Sequence, residues 1–510
     1  MWFVRKWFWN VLGWIKFAGA KPQTIPLPPK AGHVIKPVPL YEAIPGLPIK
    51  TILTCHPKDI PADERYSLVH NLYFKLQLWL YSVFPPMQPG LPPVDPDPAQ
   101  ALRHAYTWLH RTKFDPPVLP AEFYGSPDLG SLAVRGPYAG YLEKDSDGIY
   151  KWDLARLGDY EHHVGLHKLG VKVLFRVDPL ARALQAFQID STLGSAGPGD
   201  PTWEVSKKIA LCAVSTHTSL VRHFNWLHLA GGAHLAIATR NRLPPKHPLC
   251  RLLWPYMYAT QANGDLVTRS QMLPGGDFET AFSLTFEGMC KLFEETYREF
   301  RIVTNDPEED AKARQIRNQG FDTPTQENLE ALFNVMHEYA GNYLRIYYPD
   351  FQPGSSTMAI RSDAPILAWL DELNRVIPNG VEVSRSNVTF DNLARLVARF
   401  MHMVTAQHEI LGGFLWNYQM WTHRQPVRVY TNGQREPLDV YQRLVNANFI
   451  LNVKRRELMH DFSYLALDAA GERAFVNFIE ALKTLQEAMD QEPQTVWKLY
   501  PEALKVNINA

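Results

Sequence analysis

The sequence predicts a mainly α-helical protein with long central helices and a minor antiparallel β component. Three observations carry that expectation. From Trp203 onward, apolar residues return every three or four positions over long stretches, the signature of helices with one buried face. Ahead of them, Val171–Val177 and Leu184–Ile189 alternate as two short strands around the turn at Asp178-Pro179. Half of the 40 prolines fall between Pro22 and Pro120, so that region runs as extended arms rather than as a repeat or a low-complexity tract.

In chain order, residues 1–20 are expected to form an amphipathic helix on a membrane surface. The first seventeen residues carry four tryptophans and three phenylalanines, with Arg5, Lys6, Asn10, Gly13 and Lys16 on one side of a helical wheel. A span needs roughly 20 apolar residues, so an interfacial helix fits better than a crossing one. Docking on the protein's own core is the alternative, and Lys16 and Asn10 argue against a secretory signal. Residues 21–150 are expected to be proline-rich arms with helices over 66–84 and 98–113, packed on the body. Residues 151–510 form the main body, with helices over 203–230, 278–303, 325–348, 363–376, 390–411, 437–451 and 472–489, and 21–510 is expected to be one structural unit. The protein is expected in the cytoplasm or at a membrane face, with secretion left open.

Fifty-two basic residues balance 52 acidic ones, so no nucleic-acid partner is called for and a small, uncharged or amphiphilic substrate fits better. Cys55, Cys212, Cys250 and Cys290 lie far apart and form no CxxC pair. A metal, if present, must then sit on histidines and carboxylates. Neither a P-loop nor a dinucleotide fingerprint nor a hydrolase triad order occurs.

His223 and His228 lie five residues apart in the pattern that begins at Trp203. In a regular α-helix, residues five apart diverge by about 140°, too far to hold one ion. A π-turn brings them onto one face, so a shared ligand requires a π-bulge between them. Taken alone, such a pair is more often two unconnected histidines on a half-buried helix.

The surroundings change that balance. Trp203-Glu-Val-Ser-Lys207, Ala236-Ile-Ala-Thr-Arg240, Leu243-Pro244 and His247-Pro-Leu-Cys-Arg-Leu-Leu-Trp-Pro255 resemble the lipoxygenase family, as does the asparagine at 263. Looser matches follow at 339–348, at Asp371-Glu-Leu-Asn374 and at Thr405-Ala-Gln-His408. The resemblance covers roughly residues 150–510, and no lipid-binding PLAT-like barrel is evident in residues 1–150.

The resemblance implies one non-haem iron per chain, held by His223, His228 and His408. It further implies a polyunsaturated fatty acid or acyl lipid and O2 as substrates. A hydrogen atom leaves the methylene between two cis double bonds, and O2 adds to give a hydroperoxide. The family's usual fourth side-chain ligand falls, four residues beyond the third histidine, on Gly412, which has no donor atom. Water in that position is the preferred expectation, with the backbone or Asn417 as weaker substitutes. The family also uses the chain's terminal carboxylate, which here belongs to Ala510, and a carboxylate does not depend on the side chain beside it. His162, His163 and His167 are expected to be a solvated or capped cluster, His217 and His234 to be core residues or groups that support the metal ligands, and His247 to be structural. Two other readings remain open: a lipoxygenase-like hydroperoxide isomerase or dehydratase, suggested by Gly412, and a non-catalytic lipid-binding relative.

Overall fold

In the computed structural model, the described residues are 24–30, 34–65, 90–94, 120–317, 319–349, 358–450, 455–493 and 497–508, with isolated positions in 3–11 and 68–79. An antiparallel ribbon joins β1 (Pro37–Pro39) to β2 (Leu53–Cys55). A second sheet has five antiparallel strands in sequence order: β3 (Glu143–Ser146), β4 (Ile149–Asp153), β5 (Lys172–Asp178), β6 (Ala183–Ser191) and β7 (Gly194–Ala196). The expected hairpin is β5–β6, paired from Lys172–Asp190 to Asp178–Ala183. The three further strands were not anticipated, because they are short, two carry charged outward residues and Gly194–Ala196 holds only small ones.

Helix α1 (Trp203–His217) passes without a break into a π-helical segment, Thr218–Gly232, and then into α2 (Ala233–Arg242). From Ile209 to Thr216 every residue of α1 is buried, and a helix buried on all sides belongs at the centre of a large core. Around it stand α3 (Phe286–Tyr297), α4 (Pro324–Tyr347), α5 (Ala364–Val376), α6 (Phe390–His402) and α7 (Ala469–Gln491). Helix α4 packs against both α6 and α7, α5 packs against α2, and α3 packs against the π segment.

The helix expected over 278–303 is instead two. A short helix, Asp277–Ala281, ends before Ser283, and Thr285 starts α3 by accepting a hydrogen bond from the Gly288 amide. A threonine N-cap satisfies an otherwise orphaned amide, so the apolar spacing continues while the helix does not.

The front arm shares the core. Leu40, Ile44, Leu47, Ile49 and Ile52 are buried in the same cluster as the central helices. Arg240 of α2, 3% exposed, pairs with fully buried Glu64 and with Asp63, so a buried charge pair fastens the arm to the body. Of the N-terminal segment, Phe3, Val4, Arg5, Trp7, Phe8 and Val11 are helical, and Phe3 and Trp7 are exposed. The helix expected over 98–113 lies outside the described residues, and only Leu68, Leu72, Leu76 and Trp79 of 66–84 are described.

A second buried charge cluster holds α6 in place. The Asp306 carboxylate, fully buried, accepts from Arg395 at 2.5 Å and from Arg399 at 3.1 Å, and it caps the helix Pro307–Ala313. Burial pushes this carboxyl up, but the Arg395 bonds and the two guanidinium charges outweigh it and hold it below the usual range. Asp306→Ala leaves Arg395 and Arg399 only Glu308 and Glu382 as partners and uncaps the helix Pro307–Ala313, and is expected to cost about 1–3 kcal/mol, read by denaturant unfolding. Because the folded-state pKa is depressed, the stabilisation is present above about pH 4 and is lost as pH falls through the folded value. An unfolding midpoint unchanged at neutral pH would refute this account.

Candidate metal centre

The π segment is where the sequence places its first two histidines. Its wider winding brings His223 and His228 onto one face, with Nε2 atoms 3.2 Å apart. The expected π-bulge is therefore present and runs to 15 residues rather than one turn. His408 stands between two further π segments, Met403–Gln407 and Glu409–Phe414, that continue α6. Its Nε2 lies 3.0 Å from that of His223 and 3.0 Å from that of His228.

Among the described residues these three form the one cluster of histidine, cysteine or carboxylate donors suited to a metal. Their ring planes stand 81°, 56° and 63° to one another, so the rings fan out around a common point rather than stack. Burial pushes the His223 imidazole down to about 4, with Arg455 adding to the effect, and holds His228 and His408 well below the usual imidazole range. All three are neutral at pH 7 with lone pairs available. Three neutral nitrogens at this spacing repel unless a cation sits among them. A metal with M–N bonds of about 2.1 Å places neighbouring ligands of an octahedral face roughly 3.0 Å apart, which matches the observed edges. The donor set therefore fits a metal ion with one open face.

Gly412 faces the tripod, and its glycine has a steric reason. A Cβ at 412 would lie 2.5 Å from His223 Nε2 and 2.9 Å from its Cε1, so the His223 ring uses the space a side chain would need. Asn417 sits on the next helix, Leu415–Gln419, and is not among the residues lining the pocket beside the histidines, whereas Trp416 and Gln419 are. Ala510 lies outside the described residues. The tail before it is buried: Val506, Asn507 and Ile508 are at most 1% exposed. Asn263 Nδ2 donates to the Ile508 carbonyl at 3.2 Å, and Ile508 packs on Gly232, where a Cβ would lie 2.2 Å from its Cδ1.

Two charged residues at the site were not read from the sequence. Glu409 Oε1 lies 3.3 Å from His408 Nδ1 and 2.6 Å from Arg455 Nη1. A glutamate directly ahead of the apolar run Ile410–Leu415 was the available signal, since a buried carboxylate must be paired. Nothing local marks Arg455 among its basic neighbours.

Four other described histidines hold structure together. His217 bonds Tyr141 Oη at 2.9 Å, His234 bonds Tyr297 Oη at 2.5 Å, and His162 bonds the Tyr160 carbonyl and the Leu169 amide. His247 caps the helix Pro248–Met257 and faces Asp363 at 3.2 Å.

A pocket opens from the three histidines between apolar walls that include Phe224, Phe278, Phe282, Leu411, Trp416 and Leu444. Ser219, Gln271, Asp277 and Gln419 are polar positions on it.

No protein-family model matches the chain, and no curated protein does. Solved structures do. An engineered LOX variant superposes with a TM-score of 0.73 at 15% identity, over 92% of this chain and 79% of that one. A calcium-dependent 11R-lipoxygenase gives 0.70 at 15%, over 94% and 79%. The manganese lipoxygenase of Gaeumannomyces graminis gives 0.67 at 13%, over 91% and 94%. With that likeness across nine-tenths of its length and three converging imidazoles on π-wound helices, the chain has the lipoxygenase fold.

Proposed function

We propose that this protein is a lipoxygenase-type dioxygenase that holds one iron on His223, His228 and His408 and adds O2 to a 1,4-pentadiene of a polyunsaturated acyl chain. The observation that carries this reading is the pocket whose apolar walls end on the three neutral imidazoles. A bound iron would supply the one-electron chemistry that begins oxygenation at a bis-allylic methylene. The chain's own part is placement: the phenylalanines and leucines hold a flexible acyl chain and keep water away. A lipoxygenase of the same fold, at 16% identity and a TM-score of 0.71, has been crystallised with arachidonate, which supports an acyl chain as ligand.

Metal analysis of purified protein, together with oxygen uptake and the ultraviolet absorbance of a conjugated diene on linoleate or arachidonate, tests the reading. One iron per chain and diene formation support it, and a metal-free protein sinks it. Manganese in place of iron would correct the cofactor. Gly412 favours a second reading, a hydroperoxide isomerase or dehydratase, because one donor fewer changes the iron's ligand field. Iron retained with no uptake on any polyunsaturated acid, but turnover of a fatty hydroperoxide, would select it.

Asp277 gives the pocket a pH dependence. Burial pushes its carboxyl up to about 6, with Arg443 opposing. It is therefore neutral below pH 6 and anionic above. The KM for a free fatty acid is expected to rise about fivefold across that range, the effect of ~1 kcal/mol of like-charge repulsion. A methyl ester is expected to show no such rise, and Asp277→Asn to flatten the profile. Identical profiles for wild type and variant would discard the assignment.

We further propose a lipid surface as partner. Leu68, Leu72, Leu76 and Trp79 repeat at helical spacing and are each at least half exposed, as are Phe3 and Trp7. Among the described residues no helix is long and apolar enough to cross a membrane. Wild type is expected to co-sediment with anionic phosphatidylserine vesicles, and Trp7→Ser/Leu72→Ser to remain mostly in the supernatant. Equal sedimentation of both would remove these residues from any lipid contact.

A further inference from the structure

We propose that Glu409 and Arg455 are a positioning pair that orients the third metal ligand and couples it to the C-terminal tail. The inference rests on the metal-centre reading above.

When the Nε2 of His408 carries the lone pair aimed at the other two histidines, its Nδ1 carries the proton. Both that N–H and the Arg455 guanidinium are donors, and they stand 3.1 Å apart. Among the described residues, the acceptor within reach of both is Glu409 Oε1, at 3.3 Å from Nδ1 and 2.6 Å from Nη1. The carboxylate therefore selects the tautomer in which Nε2 can bind a metal and, through its charge, strengthens that nitrogen as a donor. Arg455 balances the carboxylate, without which a buried anion would be costly. The side chains of Glu409 and Arg455 are 6% and 5% exposed, so neither charge is dissipated by water.

The backbone has made room for this pair. A Cβ at Gly413 would lie 2.8 Å from Glu409 Oε2. The Gly412-Gly413 step thus clears one space for the His223 ring and the next for the Glu409 carboxylate. Arg455 Nη1 also donates to the Asn507 carbonyl at 2.7 Å, one residue before the Ile508 carbonyl held by Asn263. One guanidinium thereby bridges the outer side of His408 and the tail that runs past the ligand helix at Gly232. Metal affinity and tail anchoring should then fall together when it is removed.

The test uses the full-length protein, stripped of metal and titrated anaerobically with Fe(II), and with Co(II) followed by its visible absorption. Glu409→Gln and Arg455→Met are each expected to weaken binding 10–100-fold and to shift the Co(II) bands. Arg455→Lys keeps a cation facing Glu409 and is expected to recover part of the loss. In the metal-free state, carboxypeptidase is expected to remove C-terminal residues faster from Arg455→Met than from wild type. Glu409→Gln/Arg455→Met carries no unpaired buried charge and is expected to melt near wild type, so its weaker binding reads positioning rather than unfolding. Wild-type affinity in Glu409→Gln, which is isosteric, overturns the proposal whether or not the arginine variants fold. A wild-type protein that takes up neither metal overturns the metal-centre reading itself, and this inference with it.

Discussion

Replacing His228 or His408 with alanine is expected to leave the protein without stoichiometric metal and its oxygen uptake at background, while the fold survives. Each histidine supplies one of three nitrogens that lie 3.0–3.2 Å apart, and the open side of the tripod has no other described side-chain donor of the usual kind. Losing one corner leaves two neutral imidazoles, a weak site for any divalent ion in competition with water. The fold is expected to persist because each imidazole is neutral, so its removal strands no charge. In His408→Ala, Glu409 still has Arg455 as partner. His217→Ala is the control: its imidazole is likewise pushed down, to about 3, by burial, and it bonds Tyr141 instead of facing the tripod. That variant is expected to lose some stability, about 1 kcal/mol for the lost bond to a Tyr141 hydroxyl that keeps Thr218 as partner, and to keep its metal. Metal content by mass spectrometry beside thermal melting measures both. One metal per chain in His408→Ala would end the tripod account.

Gly412→Asn is expected to lower activity, although it supplies a side-chain donor where the resemblance to lipoxygenases leads one to expect a fourth ligand. The space is already taken: a Cβ would sit 2.5 Å from His223 Nε2, where about 3.4 Å is an ordinary contact. The ring of a metal ligand must therefore move by about 1 Å, and a displacement of that size at a reacting centre typically costs 100-fold in rate. A fall of about that order in kcat/KM, together with weaker metal retention, is the expected result. Gly413→Ala provides the comparison, since its new Cβ meets the far end of the flexible Glu409 side chain rather than a ligand ring. Its effect is expected to be several times smaller. An asparagine variant that binds metal more tightly and turns over faster would mean that the ligand position is open and that the glycine is a defect rather than an accommodation.

Much of the helical framework was legible because apolar periodicity is local. Pro324–Tyr347, Ala364–Val376 and Leu438–Ile450 match their expected spans within one or two residues. The interruption at Ser283–Thr285 was not legible, because a threonine can cap a new helix without disturbing the spacing of buried residues. Strands β3, β4 and β7 escaped for a related reason: Glu143–Ser146 is polar throughout and holds its place by pairing with β4, not by its own composition.

At the site, the five-residue spacing of His223 and His228 by itself required a π-wound helix if the two were to share a ligand, and the absence of a donor at Gly412 could be read directly from the chain. Glu409 was marked by its charge at the edge of the apolar run Ile410–Leu415. What only the tertiary structure decided is which distant groups meet there. His408 arrives from 180 residues beyond His228, Arg455 rather than any other cation faces Glu409, and Asn263 takes the Ile508 carbonyl. Periodicity and polarity state what a residue requires of its surroundings, a buried face, a partner or room for a ring. They do not say who supplies it, because that depends on how helices far apart in sequence pack into one core.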